Sequence, residues 1–355
     1  MNVARGPGNE PMPGGCGQGE RGTVAVLGGA GYVGAVLVPR LLAAGYRVRV
    51  LDLMIYGPEP LAAVAPEPGL EIVTGDVRDA PLVRCVLSGC DAVIHLACIS
   101  NDPSVELDPA LSRSVNYDSF APVVAAARAA GVRRFVFASS GSVYGVSDAP
   151  EVTEDHPLVP VSLYNTFKAA CEPVLLAEAT ANFVPVIVRP ATLCGHSPRQ
   201  RLDLTVNVLT AHAVAARRIE VHGGAQMRPN LHLQDMVDLY LLLLEAPDRT
   251  IAGRIYNAGR ENLSVAETAL LVRDTVGRLR PAGGPVEIAM TAAVDPRSYR
   301  LSSARLHREL GFVPSRSVVD GVRDLVAAFD AGLLPDPLVA DRYYNIRTMK
   351  ARAIA

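Results

Sequence analysis

A tyrosine and a lysine four residues apart, Tyr164 and Lys168 in the run YNTFK, are the residues with the clearest chemical potential. That spacing puts both on one face of a helix. A free phenol ionises near pH 10. A nearby ammonium favours the phenolate, and so does a positively charged nicotinamide. A shift of about three units, worth roughly 4 kcal/mol, would make the phenol a useful base near pH 7. Ser140, in SSGSVYG (139–145), can bond the same substrate oxygen and hold it for proton transfer. Ser139 and Ser142 sit in the same turn, and Ser142 is the weaker choice. Alone, a Tyr and a Lys at this spacing are common on amphipathic helices.

The second feature is GGAGYVG, with Gly28, Gly31 and Gly34 three residues apart around Tyr32 and Val33. Glycines there let the backbone turn tightly and approach a pyrophosphate. A helix opening at the end of the loop adds free N–H groups and a partial positive charge. Asp52 ends the next apolar run, 18 residues past Gly34. A carboxylate there accepts both ribose hydroxyls of NAD and repels a 2′-phosphate, so the cofactor expected is NAD. Asp76, in Gly75-Asp76-Val77, is placed to bond the adenine amino group, although a bare turn reads the same way.

These residues need a scaffold. The runs at 23–27, 47–51, 70–74, 92–96, 134–138 and 185–189 are brief, Val/Ile-rich and bounded by Gly, Pro or Asp, so they read as buried strands. Residues 31–44, 80–88, 109–130 and 164–180 read as helices between them. Strand–helix repetition implies an α/β fold, a Rossmann-type doubly wound parallel sheet over 22–190. Residues 1–21, rich in Gly and Pro, read as a disordered leader without the apolar stretch of a secretory signal. The stretch 191–345 reads as a smaller α/β substrate lobe, with helices at 203–218, 234–246, 264–279, 302–310 and 318–331. A strand near 254–258 returns to the first domain, and 346–355 reads as a tail.

Composition narrows the function. Of 355 residues, 49% are hydrophobic and 20% charged, which supports a large core and excludes a solvating chain. There are 34 basic and 36 acidic residues, no basic block and no Trp. These features argue against nucleic-acid and membrane-surface binding. No apolar run reaches the roughly 18 residues of a membrane span. The six cysteines form no CxxC and read as reduced thiols, in a cytoplasmic protein. The seven histidines show no metal-ligand spacing, so no metal site is expected. His95 reads as a satisfied core histidine, and Tyr144 as a packing residue.

Taken together, the motifs resemble those of the extended short-chain dehydrogenase/reductases, in the nucleotide-sugar epimerase/dehydratase branch. GGAGYVG, GDV (75–77), HLAC (95–98), SSGSVYG, YNTFK and RP (189–190) occur in that family's order, across roughly 22–345. Ser140 stands 24 residues before Tyr164, a spacing similar to that of UDP-glucose 4-epimerases. The resemblance implies that Leu96, Ala97, Asn116 and Pro190 join the cofactor site, and that the substrate is a nucleotide-diphosphate sugar. MRPNLHLQD (227–235) is similar to the family's R-x-x-x-H-x-x-D segment, and DPRSY (295–299) to a second such segment, which offers Arg228, Arg297 and Tyr299 for the diphosphate. Asn101 and Asp102 are placed to meet the sugar, and Asp203 and Leu204 the base. Two long helices per subunit imply a homodimer.

The resemblance leaves three reactions and a non-catalytic binder to weigh, with an epimerase expected first and a 4-ketoreductase as its alternative. An epimerase needs one base and a tightly held NAD. A 4,6-dehydratase also needs an acid, and the family places an Asp-Glu pair directly after the serine or threonine. Here those positions are Gly141 and Ser142, which disfavours dehydration. A 4-ketoreductase uses the same Tyr, Lys and Ser. A non-catalytic dinucleotide binder would be expected to have lost the Tyr or Lys.

Overall fold

The computed structural model describes residues 21–292 and 297–352. The leader apart from Arg21, and Asp295 and Pro296 of the DPRSY segment, lie outside the described residues. Strands β1 (Thr23–Leu27), β2 (Arg47–Asp52), β3 (Leu70–Thr74), β4 (Ala92–His95), β5 (Arg134–Ala138) and β6 (Val184–Pro190) are parallel. Three more strands, β7 (Thr192–Cys194), β8 (Arg218–His222) and β9 (Met227–His232), lie outside this sheet, and β10 (Arg254–Ala258) returns to it. The order is β10-β6-β5-β4-β1-β2-β3. The chain leaves β1 in one direction and resumes on its other side at β4. The carboxyl ends of β1 and β4 therefore open the crevice where such sheets bind ligands.

Helices cover both faces. On one, Leu37 and Leu41 of α1 (Gly34–Ala43) share a core with Val24, Val26 and Val136. On the other, Val83 of α2 (Ala80–Leu87) packs with Ala25, Val93 and Phe135. Helices on both faces leave β1, β4 and most of β6 continuously buried, which is why these strands are largely apolar. Strand β3 is different. Expected to be buried, it is the outer strand, and Ile72 is 37% exposed.

The helix expected over 109–130 is broken. After α3 (Asp102–Leu107), Pro109 starts α4 (Pro109–Arg113), where Asp108 accepts a cap bond from the Leu111 N–H at 2.9 Å. A π-helical turn follows at Ser114–Asp118, before α5 (Phe120–Ala129). A π turn inserts an extra residue and redirects side chains, often at functional sites. Here Asn116 turns inward. Its Oδ1 accepts from Ile99 N at 2.8 Å, and its Nδ2 donates to Ile99 O at 2.9 Å. The helix α6 (Leu163–Leu176) carries the Tyr–Lys pair and begins at Ser162, whose Oγ caps Asn165 N.

Beyond β6, α7 (Thr205–Ala215) enters the second lobe, and α8 (Leu233–Glu245) packs back on the main sheet through Leu239 and Leu243. The short α9 (Asp248–Ile251) precedes β10. Strand β11 (Glu261–Ser264), not expected from the sequence, pairs antiparallel with β9, which pairs parallel with β7. Pro229 and Asn230 within β9 hide its strand character. Next come α10 (Val265–Leu279), β12 (Glu287–Thr291) paired with β8, α11 (Ala304–Leu310) and α12 (Val318–Asp330). Val206, Val272 and Val322 join α7, α10 and α12 in a separate core. The segment expected as a tail forms α13 (Asn345–Arg352), whose Met349 packs with Ile99, Val105 and Leu111.

His95 is buried but not satisfied. Its Nδ1 has no hydrogen-bond partner among the described residues, and its ring stacks on Phe120 at 5.5 Å, beside Phe135 and Phe137. Burial, helped by the Lys168 charge, lowers its pKa to about 3. The folded state thus keeps His95 neutral, while the unfolded chain binds a proton below about pH 6.5. The stability this contributes is complete above pH 6.5 and is lost as pH falls towards 3. At pH 5 the deficit is roughly 2 kcal/mol. In urea titrations at pH 7 and pH 5, His95→Leu is expected to lose less stability on acidification than wild type, by about that amount. An identical acid dependence in both proteins would contradict the neutral histidine.

Candidate functional site

A cavity of about 570 Å³ opens at the β1/β4 crevice and runs under the second lobe. It is lined by Gly28, Gly31, Tyr32, Val33 and Gly34, by Asp52, Asp76 and Val77, by Leu96 and Ala97, and by Tyr164, Lys168 and Pro190. Asn101, Asp203, Leu204, Arg228 and Arg297 line it too.

The loop between β1 and α1 is built for close approach. Gly28 has φ +88°, and a Cβ on it would lie 2.6 Å from Ala97 N. A Cβ on Gly34 would lie 2.4 Å from Gly29 O. On Gly31 it would meet only Gly28 O, at 3.3 Å, so the space its missing side chain leaves faces the crevice. The α1 helix begins at Gly34 rather than at 31, which leaves loop N–H groups outside the helix ladder. Asp52 closes the loop from below, accepting from Ala30 N at 2.9 Å and Met54 N at 2.8 Å. Burial pushes its carboxyl up against those two bonds. These residues fit a dinucleotide. Asp76 is held in an ion pair with Arg78 at 2.7 Å; burial raises its carboxyl, but Arg78 keeps it below the ordinary range.

At the other end, Tyr164 and Lys168 share a face as their spacing required, with the Lys168 Nζ 6.0 Å from the Tyr164 ring centre. That ammonium donates to Ala138 O at 2.7 Å and sits 4.9 Å above the Phe137 ring. Burial pushes the Tyr164 phenol up; Arg201 and a hydrogen bond with Ser140 oppose it. The serine turn differs in detail from expectation. Ser139 and Ser142 line the cavity, whereas Ser140 reaches the site through its bonds to the Tyr164 phenol and, at 2.7 Å, to Ser142 Oγ. Ser142 in turn donates to Asn165 Oδ1.

Several expected contacts are engaged within the protein. Asn116 does not line the cavity; its amide is spent on Ile99, which fixes the wall after β4. Asn101, at φ +73°, caps α3 and donates to Asp203 Oδ2 at 2.9 Å. Asp203 also pairs with Arg201 at 2.8 Å; burial raises its carboxyl, and Arg201 outweighs that to hold it below the ordinary range. Arg297 pairs with Asp102, which also accepts from Ser162 at the head of α6. Arg228 donates to Met227 O and Arg297 O. Leu204 is the residue before α7. Tyr144 packs as expected, donating to Asn257 Oδ1 at 2.8 Å and accepting from Arg189 at 2.6 Å.

Sequence reasoning missed Tyr56, Cys98, Arg199, Arg201, Asn345, Ile346 and Met349, all of which line the cavity. The run RQRLD (199–203) carried a signal, because alternating arginines followed by an aspartate suit an anion site. The α13 residues carried none.

A model of the NAD dependent epimerase/dehydratase family matches residues 24–259. The chain is 33% identical over 313 residues to a dTDP-glucose 4,6-dehydratase of Streptomyces griseus, covering 85% of this chain and 92% of that one. It is 28% identical to a UDP-glucose 4-epimerase of Lacticaseibacillus casei, covering 84% and 94%. Among solved structures it is similar to the dTDP-glucose 4,6-dehydratase DesIV of Streptomyces venezuelae, which has NAD and TYD bound; the TM-score is 0.77 at 29% identity, covering 89% and 99%. The chain belongs to the NAD-dependent epimerase/dehydratase family of the extended short-chain dehydrogenase/reductases. Its cofactor is NAD.

Proposed function

We propose that this protein is a nucleotide-sugar 4-epimerase that oxidises a sugar hydroxyl to a transient ketone and reduces it on the opposite face. The observation that carries this reading over its dehydratase relatives is the serine turn. Where a dehydratase of this family places an acid pair, this chain has Gly141 and Ser142. A Cβ on Gly141 would lie 3.0 Å from Pro190 O and 3.4 Å from the Tyr299 hydroxyl, so the turn has little room for an acidic side chain. Among the described residues, four carboxylates line the cavity, and each is engaged. Asp52 holds Ala30 and Met54, Asp76 holds Arg78, Asp102 holds Ser162 and Arg297, and Asp203 holds Arg201. None is a spare proton donor for expelling a C6 hydroxyl.

Tyr164 is the base. NAD, when bound, accepts the hydride and returns it, and its positive ring adds charge that favours the phenolate. Burial pushes the phenol pKa up, and the charge of a bound cofactor would act in the opposite direction. Tyr164 takes the hydroxyl proton as the C–H bond is broken, then gives the proton back as the new C–H bond forms. Ser142, facing the cavity and bonded to Ser140 behind it, holds the substrate oxygen against the phenol. Lys168, pinned by Ala138, supplies a fixed positive charge. Arg228 and Arg297 stand at the sugar-nucleotide end for the diphosphate. A homodimer through α5 and α6 accompanies this reading; it is supported by their outward apolar residues, Leu163 being 41% exposed.

The test is a panel of UDP-, dTDP-, CDP- and GDP-sugars assayed by NMR. A product isomeric with its substrate, formed without net NADH, is the expected result. Loss of water would instead establish a dehydratase. Consumption of NAD(P)H with a 4-keto sugar, by protein that purifies without cofactor, would establish a reductase.

A further inference from the structure

Arg199 is 4% exposed, yet the Nε and Nη1 of its guanidinium have no hydrogen-bond partner among the described residues. It lines the cavity. Its planar group lies 3.5 Å from the Tyr56 ring centre, and its Nη2 donates to Asn345 Oδ1 at the start of α13. A buried guanidinium with two idle donors is costly unless an anion meets them. Burial lowers its pKa to about 10, against the pull of Tyr56, Asp203 and Asp52, which marks a charge not yet compensated by the protein.

The position of Arg199 indicates which anion. The segment that carries it is fastened onto the glycine loop. The Tyr32 hydroxyl donates to Gly195 O at 2.7 Å, Ser197 Oγ donates to Tyr32 O at 2.8 Å, and Asn207 Nδ2 donates to the Tyr32 hydroxyl at 3.1 Å. Arg199 follows two residues after Ser197, on the side of the crevice close enough to Asp52 for their charges to interact. The opening of α1, the bare Gly31 and Arg199 all line the same cavity. The geometry points to Arg199, held by Tyr56 and Asn345, as a second clamp on the diphosphate of the dinucleotide. The clamp ties the segment after β7 and the start of α13 to the cofactor. This inference rests on the dinucleotide site and not on which sugar reaction follows.

The experiment is calorimetric titration of protein freed of nucleotide with charcoal, using ADP, adenosine and UDP as probes. For Arg199→Met, whose unbranched chain still covers Tyr56, ADP affinity is expected to fall about 30- to 100-fold while adenosine affinity stays within about twofold. Arg199→Lys, which keeps the charge without the fork, is expected to lose about 3- to 10-fold for ADP and carries the test if the Met variant does not fold. Unchanged ADP binding in either folded variant overturns the proposal. Selective loss of UDP binding also overturns it and would move Arg199 to the diphosphate of the sugar nucleotide.

Discussion

Tyr164→Phe is expected to reduce turnover at least about 10³-fold while leaving NAD bound in the same amount per chain. The change removes one oxygen and keeps the ring that packs on the Ile99, Val105, Leu111 and Met349 cluster. The helix is unaffected, because its start is set by Ser162 and not by the phenol. Only the proton acceptor disappears. The glycine loop and Asp52, which we propose hold the cofactor, are left unchanged. Turnover within tenfold of wild type would remove Tyr164 from the role of base, and loss of NAD would show that the phenol holds the cofactor rather than the substrate proton.

The largest expected effect on stability lies one layer beneath the serine turn. Arg189 makes a forked pair with Glu172, Nε to Oε1 at 2.9 Å and Nη2 to Oε2 at 2.6 Å, and both residues are buried. Glu172 also accepts from Ser139 Oγ at 2.6 Å. Arg189 also donates to the Tyr144 hydroxyl and to Glu154 O. One pair therefore anchors both ends of SSGSVY. Glu172→Ala leaves a guanidinium buried without its counter-charge, and urea unfolding is expected to show a loss of about 3–5 kcal/mol. Adding Arg189→Met removes the stranded charge and is expected to recover much of that loss. A double variant no more stable than the single would mean that the cost is lost packing and not an orphaned charge.

The parts of this site that were legible in the sequence are those fixed by local spacing. Gly28, Gly31 and Gly34 occupy one turn, Tyr164 and Lys168 one helical face, and Asp52 the end of the neighbouring strand. Each needs only its own few residues to declare itself. Asn116 was legible as a residue of interest but not in its role, because the π turn that rotates it onto Ile99 leaves no periodic trace. Ser142 was discounted because three serines in one turn look alike until the 3₁₀ turn after Ser140 aims them differently. Arg199 and Asn345 are 146 residues apart and meet only through the fold. The same is true of α13, whose polar, weakly periodic sequence gave no reason to place it against α3. The start at Pro109 behind the capping Asp108 is legible, whereas the π turn at Ser114–Asp118 that breaks the expected helix is not.

Both the base and the missing acid converge on one claim, that hydride leaves the sugar and returns to the same carbon without loss of water. The most direct measurement is to run the reaction in D₂O with the accepted nucleotide sugar and read every ring carbon by NMR. The account predicts an epimer of unchanged formula with no deuterium bound to carbon. Deuterium at C5 or C6, accompanied by loss of one water, would contradict it and assign this chain the chemistry of its dehydratase relatives.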